Sequence, residues 1–71
     1  MSKVNVVVRL KESQSHRIDE VASALSAKGM DVQAQMPILG HIAGVCDESQ
    51  LDALQDVPGV ASVRRERTFT I

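Results

Sequence analysis

The sequence predicts an α+β domain in which a four-stranded antiparallel sheet carries two helices on one face. Three observations predict this class. The chain has 71 residues, of which 44% are hydrophobic, and this suits one domain spanning residues 1–71. Two segments place apolar residues at helical spacing, and four segments alternate apolar with polar residues. These elements follow one another in the order strand, helix, strand, strand, helix, strand.

The first strand and the first helix have clear apolar patterns. The strand is predicted from Lys3 to Lys11, and alternate positions give it one apolar face: Val4, Val6, Val8 and Leu10. The helix follows a polar segment, and its apolar residues recur at helical spacing: Ile18, Val21, Ala22 and Leu25. Gly29 ends this helix, and Met30 falls where a Schellman motif places its apolar contact with Leu25.

Two further strands follow. Residues Asp31 to Met36 alternate again, and Pro37 then interrupts the hydrogen-bonding ladder, which is typical of an edge strand. A third strand is predicted from His41 to Cys46. On it, Ile42, Gly44 and Cys46 share one face.

The second helix begins and ends with recognisable signals. Asp47 is predicted to cap it, with Gln50 as the partner in a capping box. Val57, Pro58 and Gly59 end it. A last strand then runs from Val60 toward the C-terminus.

This order of elements is the split βαβ pattern of the ferredoxin-like fold. Two helices cover only one face of a four-stranded sheet, so the other face, which we name the open face, is left to water or a partner. We place three apolar residues on it: Val7, Ala43 and Val45. Their predicted polar neighbours are Asn5, Arg9, Gln33, Gln35 and His41. We expect function to lie on this face or at the C-terminal tail.

The composition argues against several classes of partner. The net charge is −1 and Phe69 is the one aromatic residue, so the chain lacks the stacking platforms and the basic surface that nucleic-acid binding needs. The single cysteine, Cys46, forms no internal disulfide, which suits a reducing compartment. The chain has no apolar segment near the ~20 residues that span a bilayer. We therefore expect a cytoplasmic protein that binds neither nucleic acid nor membrane.

Enzymatic chemistry is not expected either. His41 and Cys46 lie five residues apart on one strand, so they point to opposite faces and cannot share a metal ion. His16 and Glu20 have helical spacing but lack a third ligand. The lysines lie at the element ends in contact with solvent, where they are unsuited to Schiff-base chemistry: Lys3, Lys11 and Lys28. The sequence predicts no enzyme, no metal site and no cofactor.

The second half of the chain carries a pattern that resembles a known family. Asp47–Glu48 precede Leu51 and Leu54, and Pro58–Val63 then stop the helix and open a Val-rich strand, followed by a charged stretch and a short apolar tail. This pattern resembles the subtilisin propeptide-like inhibitor family. The Val-rich opening strand and the helix that ends in Lys28–Gly29 agree with it in kind.

The resemblance implies an inhibitor or folding chaperone of a subtilisin-like serine protease. The open face would contact the protease, and Glu66 would cap the N-terminus of a helix there. The tail would lie extended in the substrate cleft: Thr68, Phe69, Thr70 and Ile71. The alternative is a small regulatory or oligomerising ferredoxin-like domain without a protease target. In that case a homodimer with paired open faces would hide the three apolar residues.

Overall fold

The computed structural model describes residues 2–66 and places the elements in the predicted order. The strands are β1 (Lys3–Leu10), β2 (Asp31–Met36), β3 (His41–Asp47) and β4 (Val60–Glu66). The helices are α1 (Ile18–Ala27) and α2 (Leu51–Gln55), and 3-10 turns over Glu12–Arg17 and Glu48–Gln50 lead into them.

All strand pairs are antiparallel, and the sheet order is β2-β3-β1-β4. The predicted ferredoxin-like class is therefore confirmed, with β1 central and β2 at an edge. Within residues 2–66, no helix combines the length and the apolarity that crossing a bilayer requires.

The end of α1 is the predicted Schellman motif. Gly29 has a φ of +100°, and its N–H donates to the carbonyl oxygen of Ser26 at 3.0 Å. The N–H of Met30 donates to the carbonyl oxygen of Leu25 at 3.1 Å. The motif turns the chain so that Met30 is buried against the core and β2 starts beneath the helix.

The start of α2 differs from the prediction. Asp47 is the cap, but its carboxylate accepts from the backbone N–H of Ser49 at 3.0 Å and from the Ser49 hydroxyl at 2.9 Å. The predicted capping box with Gln50 is not the bond that forms, because the chain enters a 3-10 turn in which the N–H two residues on meets the carboxylate. These hydrogen bonds, the backbone one first, lower the pKa of Asp47.

This cap should make stability depend on pH. Because the pKa of Asp47 is lower in the folded state than in the unfolded chain, its contribution is present above the unfolded value and is lost as pH falls through the folded value. Asp47→Ala should therefore lower the free energy of unfolding near neutral pH and have a smaller effect in strong acid. Urea unfolding at the two pH values measures this. Asp47→Asn keeps an acceptor oxygen and is the matched control, which should retain more stability near neutral pH. An equal loss at both pH values in Asp47→Ala would contradict the account.

The core is one layer of side chains between the sheet and the helices. The even-numbered residues of β1 face it, and α1 and α2 cover it with the following buried residues: Ile18, Val21, Ala22, Leu25 and Leu54. Cys46 is fully buried in this layer, as expected for a small apolar side chain, and burial raises the pKa of its thiol. His41 pairs with Arg9 whereas Cys46 pairs with Val4, so these two side chains lie on opposite faces, as predicted.

A bulge in β2 corrects part of the predicted open face. The register shifts between Val32 and Ala34, so that Gln33 is an extra residue in β2. Beyond the shift, Gln35 pairs with Ile42, whose side chain is buried against the helices. The prediction that Gln35 lies on the open face is therefore wrong, because one extra residue exchanges the two faces of a strand. The exchange brings Ala34 to the open face instead.

Candidate functional site

The centre of the open face is apolar. Val7 of β1 lies opposite Ala43 of β3, and Ala34 of β2 lies opposite Ala43 on its other side. Val45 follows two residues along β3 and is half-buried, like Val7. Ala43 is only 8% exposed, although it points away from the helices, because neighbouring side chains cover it. We name these four residues the apolar strip.

Charged side chains on the open face separate toward its two ends. One end, which we name the acidic end, carries three carboxylates against one lysine: Asp31, Asp47, Glu66 and Lys3. The opposite or basic end carries Arg9 and His41, and Arg64 lies one row nearer the middle, opposite Val7. From Asn5 in the acidic row to Arg9 in the basic row, four residues of strand span about 13 Å. The face therefore has a direction.

An exposed apolar turn continues the basic end. Residues 37–40 join β2 to β3, and Ile38 and Leu39 in this turn are 100% and 62% exposed. The N–H of Leu39 donates to the carbonyl oxygen of Met36 at 3.1 Å. The N–H of Leu10 donates to the carbonyl oxygen of Gly40 at 2.8 Å. These hydrogen bonds tie the turn to β1 and β2. We name residues 37–40 the apolar turn.

The helix side carries a groove, but few of its side chains could hold a ligand. A groove of about 390 Å³ lies between α1 and the Pro58–Gly59 turn, and Arg17 and Glu20 contribute to its wall. These two side chains form an ion pair at 3.9 Å, and both are more than half exposed. An exposed pair of this kind is worth little to stability and holds no group in a defined position. The open face is therefore the better candidate site.

The structure brings together three of the residues that we expected to contact a partner. Val7, Ala43 and Val45 lie in one patch on the open face, and their role as contacts stays a prediction. Glu66 lies at the end of β4, with its carboxylate 3.6 Å from Arg64. The predicted tail contacts lie outside the described residues: Thr68, Phe69, Thr70 and Ile71.

Sequence reasoning missed several residues of this site. Ala34 and Met36 reach the open face through the bulge in β2, and alternation alone does not reveal a bulge. Arg64 reaches it through a second irregularity, since the register of β4 shifts where β1 passes from Arg9 to Leu10. The sequence does carry a signal for the irregularity in β4. Val60 and Val63 both pack toward the core although they are three residues apart, which breaks the period of two.

The comparisons with known proteins give a likeness in fold. No protein-family profile and no curated protein sequence matches the chain. Among solved structures, the chain is similar to NapD, the Tat proofreading chaperone protein of E. coli. The TM-score is 0.78 at 20% sequence identity, over 99% of this chain and 79% of that chain. At this identity the likeness establishes the fold.

This finding corrects the predicted family. The chain's neighbour is a Tat proofreading chaperone, so the prediction of a subtilisin propeptide-like inhibitor is wrong, together with the protease partner that it implied. The residues behind that resemblance have structural roles. Asp47 caps the turn into α2, and Pro58–Gly59 lie in the turn that joins α2 to β4. A βαββαβ chain needs such signals whatever it binds. The alternative expectation, a ferredoxin-like domain without a protease target, is closer to the finding.

Proposed function

We propose that the chain is a small chaperone that binds the signal peptide of a Tat substrate on its open face. The observation that supports this is an apolar strip on a sheet face that residues 2–66 leave uncovered, in a fold similar to a Tat proofreading chaperone. Tat substrates carry twin-arginine signal peptides. Such a peptide has a positively charged region followed by about 7–15 apolar residues.

Each part of the peptide has a counterpart on the open face. The apolar segment can bury surface against Val7 and Val45, which are half-buried in the free chain and gain from further burial. The carboxylates of the acidic end attract arginines. Binding of this kind needs no reaction, so the proposal agrees with the expectation that the chain is not an enzyme. We also propose that it acts in the cytoplasm, because a signal peptide is removed from the mature protein.

The test uses a double variant that changes polarity and keeps shape. Val7→Thr with Val45→Thr replaces one methyl by a hydroxyl at each site and retains a strong strand former. We expect the affinity for a synthetic twin-arginine peptide to fall by roughly fivefold to tenfold, because apolar contact area is lost. Isothermal titration calorimetry measures this.

Val63→Thr is the matched control. Val63 packs against the core from the helix side of β4, so this variant should lose stability and keep its affinity. Sedimentation of the free protein at several concentrations completes the test. A tight dimer that hides the open face, or unchanged affinity in the double variant, would contradict the proposal and favour the oligomerising alternative.

A further inference from the structure

We propose that the open face binds its peptide in one direction. The arginines lie at the acidic end, and the apolar segment runs along the apolar strip to Ile38 and Leu39 in the apolar turn. The inference rests on the proposed function and adds to it a second contact region and a polarity. The second contact region comes from the apolar turn, and the direction comes from the separation of charge on the open face.

The first feature is the apolar turn. Ile38 is fully exposed and Leu39 is 62% exposed, whereas the other large apolar side chains of residues 2–66 are buried or half-buried. Met36, half-buried and paired with His41, connects the turn to the open face. Ala34, Met36 and the turn thus follow one another along the edge strand β2. Because hydrogen bonds hold the backbone of the turn against β1, binding has less backbone motion to restrict there.

The second feature is the charge separation. Arginines of a peptide are attracted by Asp31 and Asp47 at the acidic end and repelled by Arg9 at the basic end. The hydrogen bonds from Ser49 lower the pKa of Asp47, because they stabilise the charged form of this carboxylate. The reversed orientation would place the arginines of the peptide beside Arg9 of the basic end. Charge therefore selects the direction that apolar contact alone leaves open.

The length of the path fits a signal peptide. β2 starts at Asp31 in the acidic end and reaches the turn after Met36, and six residues of strand span about 20 Å. A helical apolar segment of about 10 residues is about 15 Å long. Such a segment, preceded by its arginines, reaches from the acidic end to the turn.

The experiment measures orientation separately from binding. A synthetic twin-arginine peptide carries a nitroxide spin label either beside the arginines or at the far end of the apolar segment, and amide signals of the isotope-labelled chain are recorded. We expect the label at the far end to broaden the amides of Ile38 and Leu39, and the label beside the arginines to broaden those of Asp31 and Asp47. Binding with the reverse pattern, or with equal broadening at both ends, would overturn the orientation and leave the proposed function standing. Absence of binding would overturn the proposed function itself.

Two variants with controls check the same inference through affinity. Ile38→Ser with Leu39→Ser should weaken binding roughly tenfold, and should have no effect on a shortened peptide that lacks the apolar segment. Asp31→Lys should weaken binding at low salt by more than at high salt. Asp19→Lys makes the same charge change on the exposed surface of α1 and should leave affinity unchanged. If Asp19→Lys weakens binding as much as Asp31→Lys, net charge and not the acidic end attracts the peptide, and the orientation is refuted.

Discussion

Replacing Gly44 by alanine should lower the free energy of unfolding by about 3 kcal/mol, at the upper end of the usual cost of overpacking. A Cβ on Gly44 would collide with the backbone oxygen of Asp31 and lie 2.9 Å from the terminal methyl of Met30. The backbone of β2 cannot yield as a flexible side chain does, so two strands must move apart. For a chain of this length the whole stability is only about 4–10 kcal/mol, so the loss is a large share.

Urea unfolding followed by circular dichroism measures this loss. Gly44→Val should lose more than Gly44→Ala, because the collision grows with side-chain volume. A cost below about 1 kcal/mol for alanine would show that β2 and β3 do not approach so closely at this point.

Ala43→Arg should abolish detectable peptide binding while the protein stays folded, with an affinity loss of at least about 100-fold. Ala43 is the centre of the apolar strip and has apolar neighbours on both adjacent strands. A long charged side chain there extends away from the helices, past the open-face side chains that cover Ala43, so it need not disturb the core. It does place a positive charge where the apolar segment of the peptide would lie, and burying that charge without a partner is unfavourable.

The control for this variant is Ala61→Arg. Ala61 is also an alanine of the sheet and is exposed on the edge strand β4, away from the apolar strip. Ala61→Arg should leave peptide affinity within a factor of about two, since isolated surface substitutions have small energetic effects. Equal loss in both variants would mean that added positive charge, at any place on the sheet, prevents binding.

Much of the fold can be predicted from the sequence, because local signals within each element determine where it ends and which face is buried. Gly29 fixes the end of α1 through a positive φ, and the alternation of β1 fixes which of its faces is buried. Asp47 marks the start of the 3-10 turn that leads into α2, although its carboxylate accepts from Ser49 and does not form a capping box. The existence of an open face follows from the count of strands and helices alone.

The residues of the open face are harder to predict from the sequence, because the pairing register between neighbouring strands determines which side chains lie there. The bulge at Gln33 forms where the backbone of Asp31 comes close to Gly44 on the neighbouring strand, and such a long-range contact leaves no periodic signal. Ala34 therefore replaces Gln35 on the open face. The family resemblance failed for a related reason. Helix caps and stops report the local path of the chain, and proteins with different partners share that path.

Binding of a signal peptide to the open face can be observed residue by residue in solution. A twin-arginine peptide is titrated into the isotope-labelled chain, and the amide chemical shifts are followed residue by residue. We expect saturable shifts concentrated on β1, β3 and the apolar turn, with those of Val7, Ala43 and Val45 among the largest. Shifts confined to α1 and the groove beside Pro58–Gly59, or no saturable shifts at all, would contradict it.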